Sequence, residues 1–258
     1  MSRLHGKTVL VTGASAGIGE ATARQFAAAG SKVIIAARRA DKLQEVKANI
    51  EAQTPGAKVI SIELDVANRE KVNAAIAGLP EEWKKIDVLV NNAGLVQGTE
   101  KVEEVAPEDV DLMINVNIKG LLYVTQAVMK GFRERNSGHI INVGSISGKD
   151  TYPGGGVYCG TKFMVDALTR TLRQELVDTP IRVSEINPGM VETEFSVVRF
   201  RGDKSKADNV YKGIQPLSGD DVAETIVFAA SAPPHVVLAD VLLLPTNQAG
   251  TMLAYRKP

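Results

Sequence analysis

The chain has 258 residues with 30 basic and 30 acidic side chains, enough length for one large α/β domain and no charge excess that would recommend a nucleic acid or an acidic membrane as partner. A hydrophobic share of 44% beside 23% charged residues suits a soluble globular protein, and the one cysteine, Cys159, excludes an internal disulfide framework and fits a reducing compartment. Residues 1–7 carry no apolar signal stretch, and no uninterrupted apolar run approaches the ~20 residues of a membrane span, so a cytoplasmic protein is expected.

Short β-branched runs alternate with segments of helical period. Strands are predicted at residues 8–11, 32–36, 58–64, 88–91, 139–143, 182–186 and 241–244. Several are apolar throughout, the pattern of strands buried on both faces of a parallel sheet. Between them, Ile18, Ala21, Phe26 and Ala29 share one helical face, and Leu43, Val46 and Ile50 another. Residues 107–135 open with Pro107 and acids and stop before Ser137-Gly138, a helix start and stop. A further helix begins near Tyr158, with Val165, Leu168, Leu172 and Leu176 at steps of three and four. The alternation predicts a single-domain, Rossmann-type doubly wound α/β fold: a mostly parallel seven-stranded sheet with helices on both faces. Its cofactor half is roughly 1–145 and its catalytic and substrate half roughly 146–258. Residues 189–219 are polar and longer than a connection needs, which reads as an irregular lid or binding loop.

The first predicted strand runs into Thr12-Gly13-Ala14-Ser15-Ala16-Gly17-Ile18-Gly19, followed by a helix. Gly13, Gly17 and Gly19 let the backbone turn tightly and approach a ligand, and the helix N-terminus offers free N–H groups to a pyrophosphate. The spacing is G-x3-G-x-G rather than G-x-G-x-x-G; a plain strand-to-helix turn is the competing reading. The second strand ends in Ala36-Ala37-Arg38-Arg39, with no acid for a ribose 2′-hydroxyl and two guanidiniums for a 2′-phosphate, which points to NADP. Two solvated arginines, one paired with Asp41, are the alternative. Tyr158 and Lys162 stand four residues apart, on one helical face. An ammonium beside a phenol favours the phenolate, a plausible acid/base device. The histidines His5, His139 and His235 are scattered, and no cluster has metal-ligand spacing.

Thr12 to Gly19, Asn91-Asn92-Ala93-Gly94, Asn117, Ser145, Tyr158 with Lys162, and Pro188-Gly189 together resemble the short-chain dehydrogenase/reductase family over nearly the whole chain. More narrowly, Ala36 to Arg39, Tyr158-Cys159, Val191 to Ser196, Val198 to Gly202 and Pro245 to Gln248 resemble the NADP-dependent 3-hydroxy acid dehydrogenases, also described as serine or allo-threonine dehydrogenases. The resemblance implies hydride transfer between the nicotinamide and a small 3-hydroxy acid or its carbonyl. Tyr158 would handle the proton, and Lys162 would lower its pKa and hold the ribose. Ser145, with Ser147 as rival, would bind the substrate oxygen, and Asn117, with Asn115 as rival, would help hold a relay water. Ser15 and Ile18 would join the glycines at the cofactor, Asp65-Val66 would meet the adenine, and Asn92-Ala93-Gly94 its ribose. Pro188, Gly189, Val191 and Thr193 would cover the nicotinamide. Gly94 and Tyr152 would wall the substrate. Apart from the resemblance, the loop places Arg199 and Arg201 beside Phe200, and one of the two is expected to meet the carboxylate of a hydroxy acid, since arginine suits planar, bidentate recognition; two solvated loop arginines are the alternative. A homotetramer or dimer through the helix at Tyr158 and the long helix before it is expected. Other readings are a broad carbonyl, diketone or 3-oxoacyl reductase, and a non-catalytic NADP-binding module.

Overall fold

The computed structural model describes residues 2–257. Strands β1 (Thr8–Thr12), β2 (Lys32–Ala37), β3 (Lys58–Glu63), β4 (Val88–Asn91), β5 (His139–Val143), β6 (Arg182–Pro188) and β7 (Asp240–Leu243) form one sheet of order β3-β2-β1-β4-β5-β6-β7, parallel throughout. The seven predicted strands are all present, with ends displaced by at most two residues; β6 continues to Pro188 and so carries the chain to the sheet edge.

Alternate strand residues feed two cores. Val9 and Val11 pack with Phe26, Leu43, Ile50 and Ile226 under α1 (Gly17–Ala28), α2 (Ala40–Gln53) and the last helix, residues 219–231. Leu10, Ile34, Leu89 and Ile140 face the other way, toward Val72 of α3 (Arg69–Ala77) and the middle helices. A period-two chain between two helical layers must be apolar on both sides, hence the unbroken Val/Ile runs. Strand order reverses between β1 and β4, which opens a crevice at their carboxyl ends, the usual ligand position in such sheets.

Two expectations change. Residues 107–135 are not one regular helix: α4 (Pro107–Ile114) passes through a π turn, Asn115–Gly120, into α5 (Leu121–Arg135). The turn brings Gly120 against Val66, whose Cγ2 would lie 2.6 Å from a Cβ at that glycine. This segment has the length and hydropathy of a membrane span, although no uninterrupted apolar run shows it. Met113, Val124, Val128 and Phe132 are buried against the sheet. Residues 189–219 are not irregular either. They hold α7 (Glu194–Arg199) and α8 (Lys204–Asn209), whose first turns are capped by Thr193 and Asp203. Helix α6 (Gly156–Glu175) precedes them, and α9 (Gly219–Ser231) opens on a Ser218–Asp221 capping box.

Candidate active site

The crevice at the β1/β4 reversal is a cleft of about 390 Å³. Its floor is the glycine turn. Gly13 has φ +66, and a Cβ there would stand 2.8 Å from Ala93 Cα, so only glycine allows the turn to meet the end of β4. Asn92 locks the same junction, its Nδ2 donating to the carbonyls of Thr12 at 3.0 Å and Gly13 at 3.2 Å; its side chain thus has a structural task although the residue lines the cleft. Ser15, Gly17 and Ile18 line the cleft at the start of α1. Gly19 does not: it is buried, and a Cβ would collide with Gly13 O, so this glycine serves packing rather than ligand contact.

At the end of β2, Arg38 and Arg39 both reach the cleft, but they differ. Arg39 donates to Ser15 Oγ at 3.1 Å and pairs with Glu194 at 3.0 Å, bridging the glycine turn to α7. Arg38 has no ion-pair partner among the described residues, and Asp41 pairs with neither. Arg38 is thus the cation free for an anion at that end. Asp65 and Val66 line the opposite side, with the Asp65 carboxylate accepting from the Ala67 amide at 3.0 Å.

At the other end, β5 delivers Ser145 and α6 delivers Tyr158 and Lys162 to one wall. Ser145 is placed by Asn187, whose Oδ1 accepts the Ser145 amide at 2.9 Å. The Ser147 amide donates to Ser145 Oγ at 3.0 Å, which occupies a lone pair and leaves the hydroxyl proton for another acceptor. Ser147 is buried and does not line the cleft. Burial pushes the Tyr158 phenol above its ordinary range, while the Ser145 hydroxyl beside it and the Arg199 guanidinium draw it back. Lys162 donates to the Val143 carbonyl at 2.9 Å, and burial pushes its pKa down to about 8. Its ammonium lies 5.9 Å from the Tyr158 ring centroid, near enough for the charge to act on the phenol.

Asn117 sits in the π turn behind Lys162. Its Oδ1 accepts the Leu95 amide at 2.8 Å, and its Nδ2 donates to Leu95 O at 2.8 Å and Thr161 Oγ1 at 3.1 Å. Thr161 donates in turn to the Tyr158 carbonyl at 2.7 Å. The side-chain amide thus ties the segment after β4 to α6.

Residues 7–203 match the family model described as short chain dehydrogenase. The chain belongs to the short-chain dehydrogenase family. It is 48% identical over 258 residues to an NADP-dependent 3-hydroxy acid dehydrogenase of Schizosaccharomyces pombe, covering 100% of this chain and 99% of that one. It is 41% identical over 241 residues to a serine 3-dehydrogenase of Rhizobium radiobacter, covering 93% and 94%. The closed form of a serine dehydrogenase complexed with NADP+ superposes with a TM-score of 0.91 at 43% identity, covering 97% of this chain and 100% of that one.

In this dehydrogenase Gly94, Pro188, Gly189, Val191 and Thr193 line the cleft between its two ends. Gln248, read from the sequence only as part of the family likeness, fixes the Gly189 turn: its Oε1 accepts the Met190 amide at 2.8 Å. Asn187, a buried amide at the end of β6, had no role in the sequence reading, and no local signal separates it from the other polar residues of that strand, Arg182, Ser184 and Glu185. Phe195 packs edge-on to Tyr158 at 5.8 Å between centroids, so α7 forms a lid over the phenol. The two loop arginines part company. Arg201 is exposed and pairs with Asp109 at 2.7 Å and Glu100 at 3.5 Å, which corrects its expected place at the substrate. Arg199 is partly buried, 5.1 Å from the Tyr152 ring centroid, and these two expected substrate residues lie behind the cleft lining rather than in it.

Proposed function

We propose that this chain is an NADP-dependent oxidoreductase that moves a hydride between the nicotinamide and a small 3-hydroxy acid of the serine, allo-threonine or 3-hydroxypropionate type, or the corresponding carbonyl compound. The observation that carries this reading is the single cleft that holds a glycine turn, an unpaired Arg38 and the Ser145–Tyr158–Lys162 wall. The residues fit the dinucleotide: backbone N–H groups at the start of α1 suit a pyrophosphate, and Arg38 without a neighbouring acid suits a 2′-phosphate. When bound, the cofactor supplies or accepts the hydride and, oxidised, places a positive ring near the phenol.

The chain's own residues handle the oxygen and its proton. Ser145 donates its free hydroxyl hydrogen to the substrate oxygen and holds it beside Tyr158. In reduction the Tyr158 Oη–H proton passes to that oxygen as the carbon gains the hydride; in oxidation the phenolate takes the proton back. The raised pKa of the buried phenol keeps it protonated, the form needed for the reductive direction. Lys162 and Thr161 hold α6 so that Tyr158 faces Ser145.

The names of the 3-hydroxy acid and serine dehydrogenase relatives support the substrate class. The test is turnover, followed through reduced-nicotinamide absorbance, with NADP and NAD against serine, threonine stereoisomers, 3-hydroxypropionate, 3-hydroxybutyrate and uncharged alcohols. Cofactor binding with no turnover of any hydroxy acid or carbonyl compound would defeat the proposal. We further read the protein as a cytoplasmic homo-oligomer. The exposed Phe163 and Met164 on α6 offer apolar area for a second copy, which light scattering would test; fractionation would test the location.

A further inference from the structure

Arg199, like Lys162, is a cation near the reacting phenol with no ion-pair partner among the described residues. It closes α7, and its guanidinium lies 5.1 Å from the Tyr152 ring centroid and 5.8 Å from that of Phe200. Both rings lie within cation–π range, and the Tyr152 hydroxyl is within reach of the guanidinium. Its Nε is buried and has no acceptor, and no carboxylate pairs with Arg199 among the described residues. Leaving a buried donor without a partner is unfavourable, and such an atom calls for an explanation. The main chain holds this arginine in place: Gly98, just beyond the β4 segment, donates its amide to the Arg199 carbonyl at 3.0 Å. Its charge bears on Tyr152, Tyr158 and Cys159 together, drawing each below where burial alone would set it. Two residues on, Arg201 is already taken by Asp109 and Glu100.

We propose that Arg199 binds the carboxylate of the 3-hydroxy acid, and that Arg201 fastens the same loop to α4 while it does so. The inference rests on the function proposed above. A carboxylate is planar and has two acceptor oxygens; the guanidinium offers Nε–H and Nη–H side by side, so one bidentate pair would satisfy the orphaned Nε. The carboxylate is then held at one point and the hydroxyl at Ser145 and Tyr158, which fixes the carbinol carbon between them.

The experiment compares the full-length wild type with Arg199→Leu and Arg199→Lys, using 3-hydroxypropionate and its methyl ester, in which the hydroxyl stays and the charge is lost. The readout is the acid-to-ester ratio of kcat/KM. Leucine should lower the ratio by about 100-fold, and lysine should restore only part of it, because an ammonium cannot form the paired contact. Propionate should compete with the ester in the wild type and lose that effect in Arg199→Leu. If Arg199→Leu does not fold, Arg199→Lys decides on the same two readouts. A wild type that prefers the acid, with variants that lose acid and ester alike, overturns the anchor and leaves the proposed function standing. A wild type that turns over ester but not acid overturns both.

Discussion

The ammonium of Lys162 lies 5.9 Å from the ring centroid of Tyr158 and spends one of its protons on the Val143 carbonyl, 2.9 Å away. The pair that the sequence offers as acid and cation is therefore held by the main chain of β5. Burial works against the charge of Lys162, with Glu185 alone favouring it.

Lys162→Met should separate stability from activity. The folded-state pKa of about 8 lies below the ordinary 10.5. Between those values the unfolded chain keeps a proton that the folded chain has lost, so stability rises with pH across that window. Below about 8 the full cost is present, roughly 3 kcal/mol for a shift of this size. The variant should melt several degrees higher at neutral pH, show a flatter stability profile from pH 8 to 10.5, bind NADPH more weakly and lose turnover. A lower melting temperature at pH 7 would contradict the burial argument.

Glu185, buried on β6, has the opposite sign. Burial pushes its carboxyl up to about 7, with the carboxylates of Asp166 and Asp240 adding to the rise and Lys149 opposing it. Between its ordinary 4.5 and about 7 the folded chain holds a proton that the unfolded chain has lost, so this group's contribution falls as pH rises. Glu185→Gln should remove that slope and be the more stable protein above pH 7, as read by thermal melting in a pH series.

Tyr158→Phe should keep cofactor affinity, measured by nicotinamide fluorescence, and lower kcat by about 10³-fold. The ring and its edge contact with Phe195 survive while the proton is lost. Substantial residual turnover would move the acid to another group.

Arg38→Asp should raise the KM for NADP by about 10–100-fold and that for NAD far less, since it exchanges an unpaired cation for an acid beside the 2′ position. Equal effects on both cofactors would remove the 2′-phosphate from the account.

Arg201→Ala should loosen the segment that carries α7. Arg201 is exposed, so solvent screens its pair with Asp109 and the loss falls on the local segment more than on global stability. Substrate KM should rise a few-fold with a smaller change in kcat, and proteolysis within residues 191–217 should quicken. A variant as protease-resistant as the wild type would show that the latch is idle.

Much of this was legible in the chain. The unbroken β-branched runs set seven two-sided strands, and the order of glycine turn, Arg38-Arg39, Ser145, Tyr158 and Lys162 outlined a nucleotide site with a proton donor, because these depend on local period and on residues close in sequence. Fixed spacings brought Tyr158 and Lys162 to one helical face. What the sequence could not decide was which of two similar residues would be free to act. Arg38 and Arg39, and again Arg199 and Arg201, are chemically alike and nearly adjacent. Their roles separate only because Glu194, Asp109 and Glu100 arrive from distant elements and occupy one arginine of each pair. The π turn that lodges Asn117 against Leu95, and the amides of Asn187 and Gln248 that set Ser145 and the Gly189 turn, likewise rest on contacts 22 to 58 residues apart. The sequence alone determined the sheet, the cleft and the chemistry that the cleft can hold. The tertiary structure decided which donors and charges remain unpaired within it, because pairing is settled by approach in space and not by order along the chain.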